Sequence, residues 1–268
     1  MQQDYPVIMT IATTDSGGGA GIQADLKTMT TLGGFATSVA VALTAQNASK
    51  VLGIHALPAD FVRLQYEAIT TGFPVKAIKV GMLYSAELID TVADLLSKAS
   101  CPVVVDPVCV SQSGYALLKE DAVEILKEKI IPITTLLTPN RPEAELLAGI
   151  TIDTPADIEA ACKKLIAMGA KAVLLKGGHF AAEGNEMLDW LATDTGEFVC
   201  LPHPYVETEN NHGTGCALSA AIATFLGHGY GMREAIVKAQ DFLTKALATS
   251  FSCGMCIGSP NHLEGAGK

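Results

Sequence analysis

The residues best suited by type and spacing to do chemistry are Asn210-Asn211-His212-Gly213-Thr214-Gly215-Cys216. They run straight into Ala217-Leu218-Ser219-Ala220-Ala221-Ile222-Ala223, a small, apolar stretch that reads as a helix. The first N–H groups of a helix have no intrahelical partner, and the helix dipole adds partial positive charge there. Gly213 and Gly215 let the backbone approach an oxygen closely, so the loop can hold an anion. Cys216 falls in the first turn, where the same field is expected to lower a thiol pKa. The chemistry on offer is a held negative charge beside a nucleophile or base. A glycine-rich turn with no ligand fits this stretch equally well, because short glycine patterns recur by chance.

Other polar groups close short apolar runs of the kind that form buried parallel strands. Residues 7–12 are such a run, followed by Thr13-Thr14-Asp15-Ser16-Gly17-Gly18-Gly19-Ala20-Gly21 and a helix from residue 22 toward Gly33-Gly34. Strand, glycine loop and helix in that order put a ligand at the C-terminal ends of a parallel sheet. The loop is neither a Walker A nor a dinucleotide fingerprint; with Asp15 and Asp25 flanking it, it reads as a ligand loop of another kind. A strand over 38–45 ends in Gln46-Asn47, whose amides can pair with a heterocycle's edge or with backbone. Residues 76–80 lead to Gly81-Met82-Leu83. Residues 102–105 lead to Asp106-Pro107-Val108, where the acid either ends a strand or serves a metal. Ser111-Gln112-Ser113-Gly114 suits a flap.

A short strand at 135–137 precedes Asn140, Pro142 and Glu143, which fit a helix cap and first turn. Glu143 also lies where a carboxylate could hold Mg²⁺ through water. Residues 172–175 end at Lys176-Gly177-Gly178-His179, and Lys176 suits phosphate as a point charge. Alternation at 187–191 and 197–201 predicts an antiparallel hairpin. His179 and His203 read as loop or core histidines. Helices are predicted at 58–71, 85–98, 122–130, after residue 140, at 154–168, up to 226 and at 232–249.

The elements that must carry these tips therefore alternate strand and helix. That order predicts a three-layer α/β/α fold with a mostly parallel central sheet, in one domain spanning 1–268. A length of 268 residues and 49% hydrophobic content allow a sizeable core. No apolar run is long enough for a membrane span, and residues 1–6 lack a signal peptide's basic region, so a cytoplasmic protein with no membrane partner is expected. The net charge of −10 argues against nucleic acid as a partner and demands local positive help for any anionic substrate. Seven scattered cysteines read as free thiols, and Cys253-Gly254-Met255-Cys256 as unpaired loop thiols.

The strand-tip motifs taken together resemble the ribokinase-like superfamily. Within it, the run from Asp15 to Thr28, Ala45-Gln46-Asn47, Lys79-Val80-Gly81-Met82-Leu83, Thr138-Pro139-Asn140-Arg141-Pro142-Glu143-Ala144, Lys176-Gly177-Gly178-His179 and His212-Gly213-Thr214-Gly215-Cys216 closely resemble the hydroxymethylpyrimidine/phosphomethylpyrimidine kinases of thiamine biosynthesis. The similarity covers nearly the whole chain. It implies transfer of the ATP γ-phosphoryl group to 4-amino-5-hydroxymethyl-2-methylpyrimidine, and then to its monophosphate. It further implies that Gly213, Thr214, Gly215 and Cys216 form the catalytic anion hole, with Cys216 as candidate base where sugar-kinase relatives carry aspartate. Ala20, Asp25, Gln46, Met82 and Val108 are the implied substrate contacts; Asn140, Lys176 and Thr214 bind ATP, and Asp106 and Glu143 serve Mg²⁺. A homodimer is expected from the same resemblance.

Three positions depart from the family pattern. Thr13 stands where glycine is usual, Gln112 where a flap lysine is usual, and Cys253 where histidine is frequent. Loss of the lysine bears on the second, more anionic phosphorylation. The rival readings are a pyridoxal or pyridoxine kinase of the same superfamily, against which Gln46 argues, and a non-catalytic pyrimidine-binding module.

Overall fold

Side chains alternate across a strand, so an apolar run buried on both faces feeds two cores at once. The computed structural model describes residues 5–109, 118, 120–177 and 186–268, and shows this division directly. Strand β1 (Val7–Thr13) leads through α1 (Gly21–Thr31) to β2 (Phe35–Asn47), which turns back as β3 (Lys50–Ala56). Next come α2 (Ala59–Gly72), β4 (Val75–Val80), α3 (Ala86–Leu96), β5 (Val103–Val105) and α4 (Glu120–Ile125). Helix α4 runs on through a π-turn over Leu126–Ile130 and a 3-10 turn over Ile131–Ile133. Then follow β6 (Leu136–Leu137), α5 (Arg141–Ala148), α6 (Pro155–Ala167), β7 (Ala172–Leu175), the hairpin β8 (Glu186–Thr193) and β9 (Phe198–Pro204), α7 (Thr214–Gly227), α8 (Met232–Ala248) and α9 (His262–Gly265).

Among the described residues the nine strands form one sheet in the order β3-β2-β1-β4-β5-β6-β7-β8-β9. The inner run from β2 to β7 is parallel; β3 at one edge and β8 and β9 at the other are antiparallel. Val103 and Val105 pack with residues of α2 to α6, whereas Val104 packs with α1, α7 and α8. This is the expected three-layer, ribokinase-like arrangement. The chain leaves β1 for β2 on one side and reaches β4 on the other. A crevice therefore opens at that switch point, at the C-terminal ends of the strands.

Three elements differ from the sequence expectation. Strand β2 has 13 residues and extends the predicted 38–45 at both ends, because its start pairs with β1 from Phe35 and its end pairs with β3 as far as Asn47. β3 was not predicted: all seven of its residues are exposed, so it has no buried face to give an alternating pattern. α9 is a single short turn closed by the Asn261 side chain. The proposed flap at residues 111–114, Gly178 and His179 lie outside the described residues. No helix of the described residues is long and apolar enough to cross a membrane.

Candidate active site

The two glycine loops are locked to one another by an acid. Asp15, 1% exposed, accepts the N–H groups of Gly17 (2.8 Å), Gly19 (3.1 Å) and Ala20 (2.8 Å), and His212 Nε2 lies 2.9 Å from its Oδ2. Burial alone would raise the carboxyl pKa, but His212 and these N–H groups hold it below the usual carboxylate range. The first loop thus commits much of its backbone to Asp15, and His212 joins it to the second. Gly213 caps α7 at φ +88°, and a Cβ there would overlap the Gly19 carbonyl oxygen. Thr214 closes a turn onto the Asn211 carbonyl, which leaves Gly215 and Cys216 N–H in the helix's first turn without a helical acceptor.

Facing that turn are two buried carboxylates and a lysine. Asp106 is 3% exposed and Glu143 2%. Lys176 Nζ lies 3.1 Å from Asp106 Oδ1. A Cβ at Gly215 would come within 3.2 Å of Asp106 Oδ2 and 3.5 Å of Lys176 Nζ, so bare backbone borders these charges. Burial would pull Lys176 down, but Asp106 and Glu143 outweigh it and hold the ammonium above the usual lysine range. Asn140 and Glu143 form a reciprocal capping box at α5: each side chain accepts the other's backbone N–H at 2.9 Å.

Burial pushes the Glu143 carboxyl up to about 7, with Lys176 and the Asn140 and Cys109 backbone opposing and Asp106 reinforcing. Two buried carboxylates, one of them costly to ionise without a cation, suit a hard metal. The described residues contain no group of three His, Cys, Asp or Glu placed to hold an ion. Such a donor set fits Mg²⁺, which keeps much of its water and shares phosphate oxygens.

A raised carboxyl makes the folded state bind the extra proton. Glu143 therefore costs about 3 kcal/mol of stability as pH rises from about 4.5 to about 7. His262, whose burial pushes it down to about 4, contributes the opposite slope over nearly the same window. The readout is therefore a difference. In urea unfolding without metal, Glu143→Gln is expected to gain stability over wild type at pH 8 and none at pH 4. Parallel pH curves for the two proteins would remove the buried-charge account of Glu143.

Asp25 is a correction to the sequence reading. The resemblance implies a substrate contact, but the Asp25 side chain is fully buried in an ion pair with Lys79. Both its oxygens accept from Lys79 Nζ (2.9 and 2.8 Å), and Oδ2 also accepts from Thr10 Oγ1 at 2.6 Å. Burial would lower the Lys79 pKa, but Asp25 outweighs it and keeps the ammonium charged. Cys216 is a second correction: its thiol pKa is raised, not lowered, to about 11. Burial outweighs Lys79 and the N–H of Gly21, and Asp25 and Asp106 add to the rise.

On the β2 side, Thr44 bonds Thr14 through its N–H (3.1 Å) and hydroxyl (2.8 Å). Gln46 N–H donates to Ser16 Oγ, which donates back to the Gln46 carbonyl, both at 2.8 Å. The backbone of Gln46 is thereby fixed to the glycine loop. Thr13 donates its N–H and hydroxyl to the Met82 carbonyl at 3.0 and 2.9 Å, fixing the other wall. A cleft of about 620 Å³ runs between these walls, and every predicted site residue except Asp25 borders it. Its far end is lined by Met187, His203, Tyr205, Val206, Leu243 and Leu247. Sequence reasoning did not select these residues: Met187, Leu243 and Leu247 look like core, Tyr205 and Val206 follow β9 outside any pattern, and His203 reads as a loop or core histidine.

The chain is similar to known proteins over nearly its whole length. A family model described as phosphomethylpyrimidine kinase matches residues 15–261. The chain is 42% identical over 257 residues to the hydroxymethylpyrimidine/phosphomethylpyrimidine kinase of Streptomyces coelicolor, covering 96% of this chain and 94% of that one. It is similar to the crystal structure of phosphomethylpyrimidine kinase from Clostridium difficile, with TM-score 0.79, 38% identity and coverage of 91% of this chain and 99% of that one. It is also similar to the ADP complex of Bacillus subtilis pyridoxal kinase, with TM-score 0.87, 31% identity and coverage of 97% and 98%. With a match over nearly its whole length and the strand tips gathered around one cleft, the chain belongs to the phosphomethylpyrimidine kinase family.

Proposed function

We propose that this chain acts as a single kinase domain of thiamine biosynthesis. It transfers the γ-phosphoryl group of ATP to the hydroxymethyl oxygen of 4-amino-5-hydroxymethyl-2-methylpyrimidine, and then phosphorylates the monophosphate to the diphosphate. The observation that carries the reading is the meeting of the Gly213–Cys216 turn with Asp106, Glu143 and Lys176 in one cleft. Phosphoryl transfer requires positioning and charge stabilisation above all, and that meeting supplies both.

The N–H groups of the Gly213–Cys216 turn receive the oxygens of the transferring group. As the substrate oxygen bonds to the γ-phosphorus, the bond to the bridging oxygen breaks and ADP leaves. The hydroxyl proton goes to the Cys216 thiolate. Lys176 meets nucleotide phosphate, leaving Asp106 available to the cation. Asp106, Glu143 and Asn140 would hold Mg²⁺ and its waters, which supplies neutralisation of phosphate charge when bound. Ala20, Met82 and Val108 pack on the pyrimidine ring, and Gln46 pairs with its edge.

The decisive test resolves the products formed from ATP, Mg²⁺ and hydroxymethylpyrimidine, with pyridoxal assayed in parallel. Both pyrimidine phosphates are expected, with kcat/KM higher than for pyridoxal. Ligand-dependent melting without ADP production would instead mark a binding module. Gln46→Leu is expected to raise KM for the pyrimidine about ten- to a hundredfold, since it strands the heterocycle's polar edge, and to leave KM for ATP unchanged. An equal rise for both substrates would remove Gln46 from the pyrimidine side.

The protein is proposed to act in the cytoplasm as a homodimer. The exposed Leu52 (71%) on β3 and Leu64 (58%) and Phe61 (51%) on α2 offer an apolar contact at that sheet edge.

A further inference from the structure

At the far end of the cleft, the edge hairpin reaches the phosphate side through one buried acid. Asp189 stands in mid-strand on β8 and is 2% exposed. Its Oδ1 accepts the N–H of Gly177 at 2.8 Å. Its Oδ2 accepts from Gln240 Nε2 on α8 at 2.8 Å, and His203 Nε2 on β9 lies 3.2 Å from the same oxygen. The register explains why a side chain is needed here. β7 pairs with β8 from Ala172↔Thr193 to Leu175↔Trp190 and stops one residue before Lys176. Beyond that point the Lys176 N–H turns to the Pro139 carbonyl, and the next N–H on the β8 side, that of Gly177, goes to the Asp189 carboxylate instead of the ladder. Gly177 packs so tightly on β8 that a Cβ would run into the Leu188 carbonyl. A leucine at 189 would fit a buried strand position but leave the Gly177 N–H and the Gln240 amide without an acceptor.

We propose that Asp189 is a positioning residue for phosphoryl transfer: by holding the N–H of Gly177, it fixes the strand tip from which Lys176 meets nucleotide phosphate. This rests on the assignment of Lys176 to phosphate. The edge hairpin is then part of the catalytic scaffold as well as a cover for the sheet edge. Asp189 does not contact the reacting atoms; it acts through the one backbone group that follows Lys176.

The test compares Asp189→Ala and Asp189→Asn by steady-state kinetics and by ADP binding in titration calorimetry. Trp190, the one tryptophan of the chain, stacks on Phe198 at 5.1 Å and reports whether the hairpin stays intact. Asp189→Ala is expected to raise KM for ATP and Kd for ADP about tenfold, leave KM for the pyrimidine within about twofold, and leave Trp190 emission unchanged. Asp189→Asn keeps an oxygen for Gly177, and the Gln240 amide can turn to present its own oxygen, so nucleotide affinity is expected to return to within about threefold of wild type. Equal losses toward both substrates, or wild-type ADP affinity in the alanine variant, would overturn the proposal. If the alanine variant does not fold, Asp189→Asn with Gln240→Leu takes its place. That pair keeps the Gly177 contact while removing the link to α8, and a tenfold loss of ADP affinity in it would overturn the proposal. A wild-type protein that binds ADP but phosphorylates nothing would count against the proposed reaction, and the ADP measurements would still decide the role of Asp189.

Discussion

Gly213→Ala is expected to lower kcat by about a hundred- to a thousandfold, the loss that follows when a preorganised donor leaves a site of developing charge. Two independent features of the backbone require it. Gly213 sits at φ +88°, where an L side chain is strained. A Cβ there would also overlap the Gly19 carbonyl oxygen and come within 2.8 Å of its carbon and 3.2 Å of Ala20 Cα. These are backbone atoms that Asp15 pins in place, so they cannot swing aside. The turn before α7 must lift from the glycine loop, and a displacement of about 1 Å at such a site costs about a hundredfold. Gly229→Ala separates the two causes. Gly229 has nearly the same φ, +91°, but nothing lies within 4 Å of its Cβ position. It is expected to lose about 1 kcal/mol of stability and no turnover. Comparable kcat losses in both variants would mean that backbone strain, not contact between the loops, governs the site.

The same contrast explains what the sequence made legible. Gly213 to Cys216, Asp106, Glu143 and Lys176 each stand within a few residues of an apolar strand or a helix start, and local grammar assigns them to one end of a parallel sheet. The cap at Asn140 and Glu143 could be read for the same reason, since a capping box closes over three residues. What was missed depends on distance along the chain. Asp25 meets Lys79 across 54 positions, Asp189 meets Gln240 across 51, and Asp15 meets His212 across 197. No periodicity within one segment records such partners. Asp25 looked like an acid flanking a ligand loop, but its place on α1 turns it to the sheet and an opposite charge. Asp189 did carry a faint signal: an acid in mid-strand between Leu188 and Trp190 breaks an otherwise apolar run. The Cys216 expectation failed on magnitude. The field at a helix start is worth about 0.3–1 kcal/mol in exposed positions, and burial of a thiolate among carboxylates costs more.

That balance sets the second large effect. Cys216→Ala is expected to lower kcat by about a hundredfold, the low end of what a positioned base contributes, with ADP affinity within about twofold of wild type. Four charges face this thiol: Lys79 from β4, Asp25 from α1, Asp106 after β5 and Lys176 after β7. Burial and the two carboxylates prevail over Lys79, and the thiol sits at about 11. If its thiolate takes the substrate proton, the competent fraction is about one in ten thousand at pH 7 and grows tenfold per unit. Turnover of the wild type should then climb steadily from pH 7 to 9, while that of Cys216→Ala stays flat. Lys79→Met with Asp25→Asn provides a further check, because it removes the buried pair as a unit and avoids stranding one charge, which would cost about 3–5 kcal/mol. With the Lys79 ammonium and the Asp25 carboxylate both gone from beside it, and Lys176 and Asp106 left in place, the alkaline climb should persist but shift. Near-normal turnover in Cys216→Ala, with a pH profile parallel to wild type, would sink the base role. The loose transition state of phosphoryl transfer makes that outcome a real test, since little proton removal is needed early. Catalysis would then rest on the backbone of Gly213 to Gly215 and the charges around it, and the thiol would serve only to fill the first turn of α7.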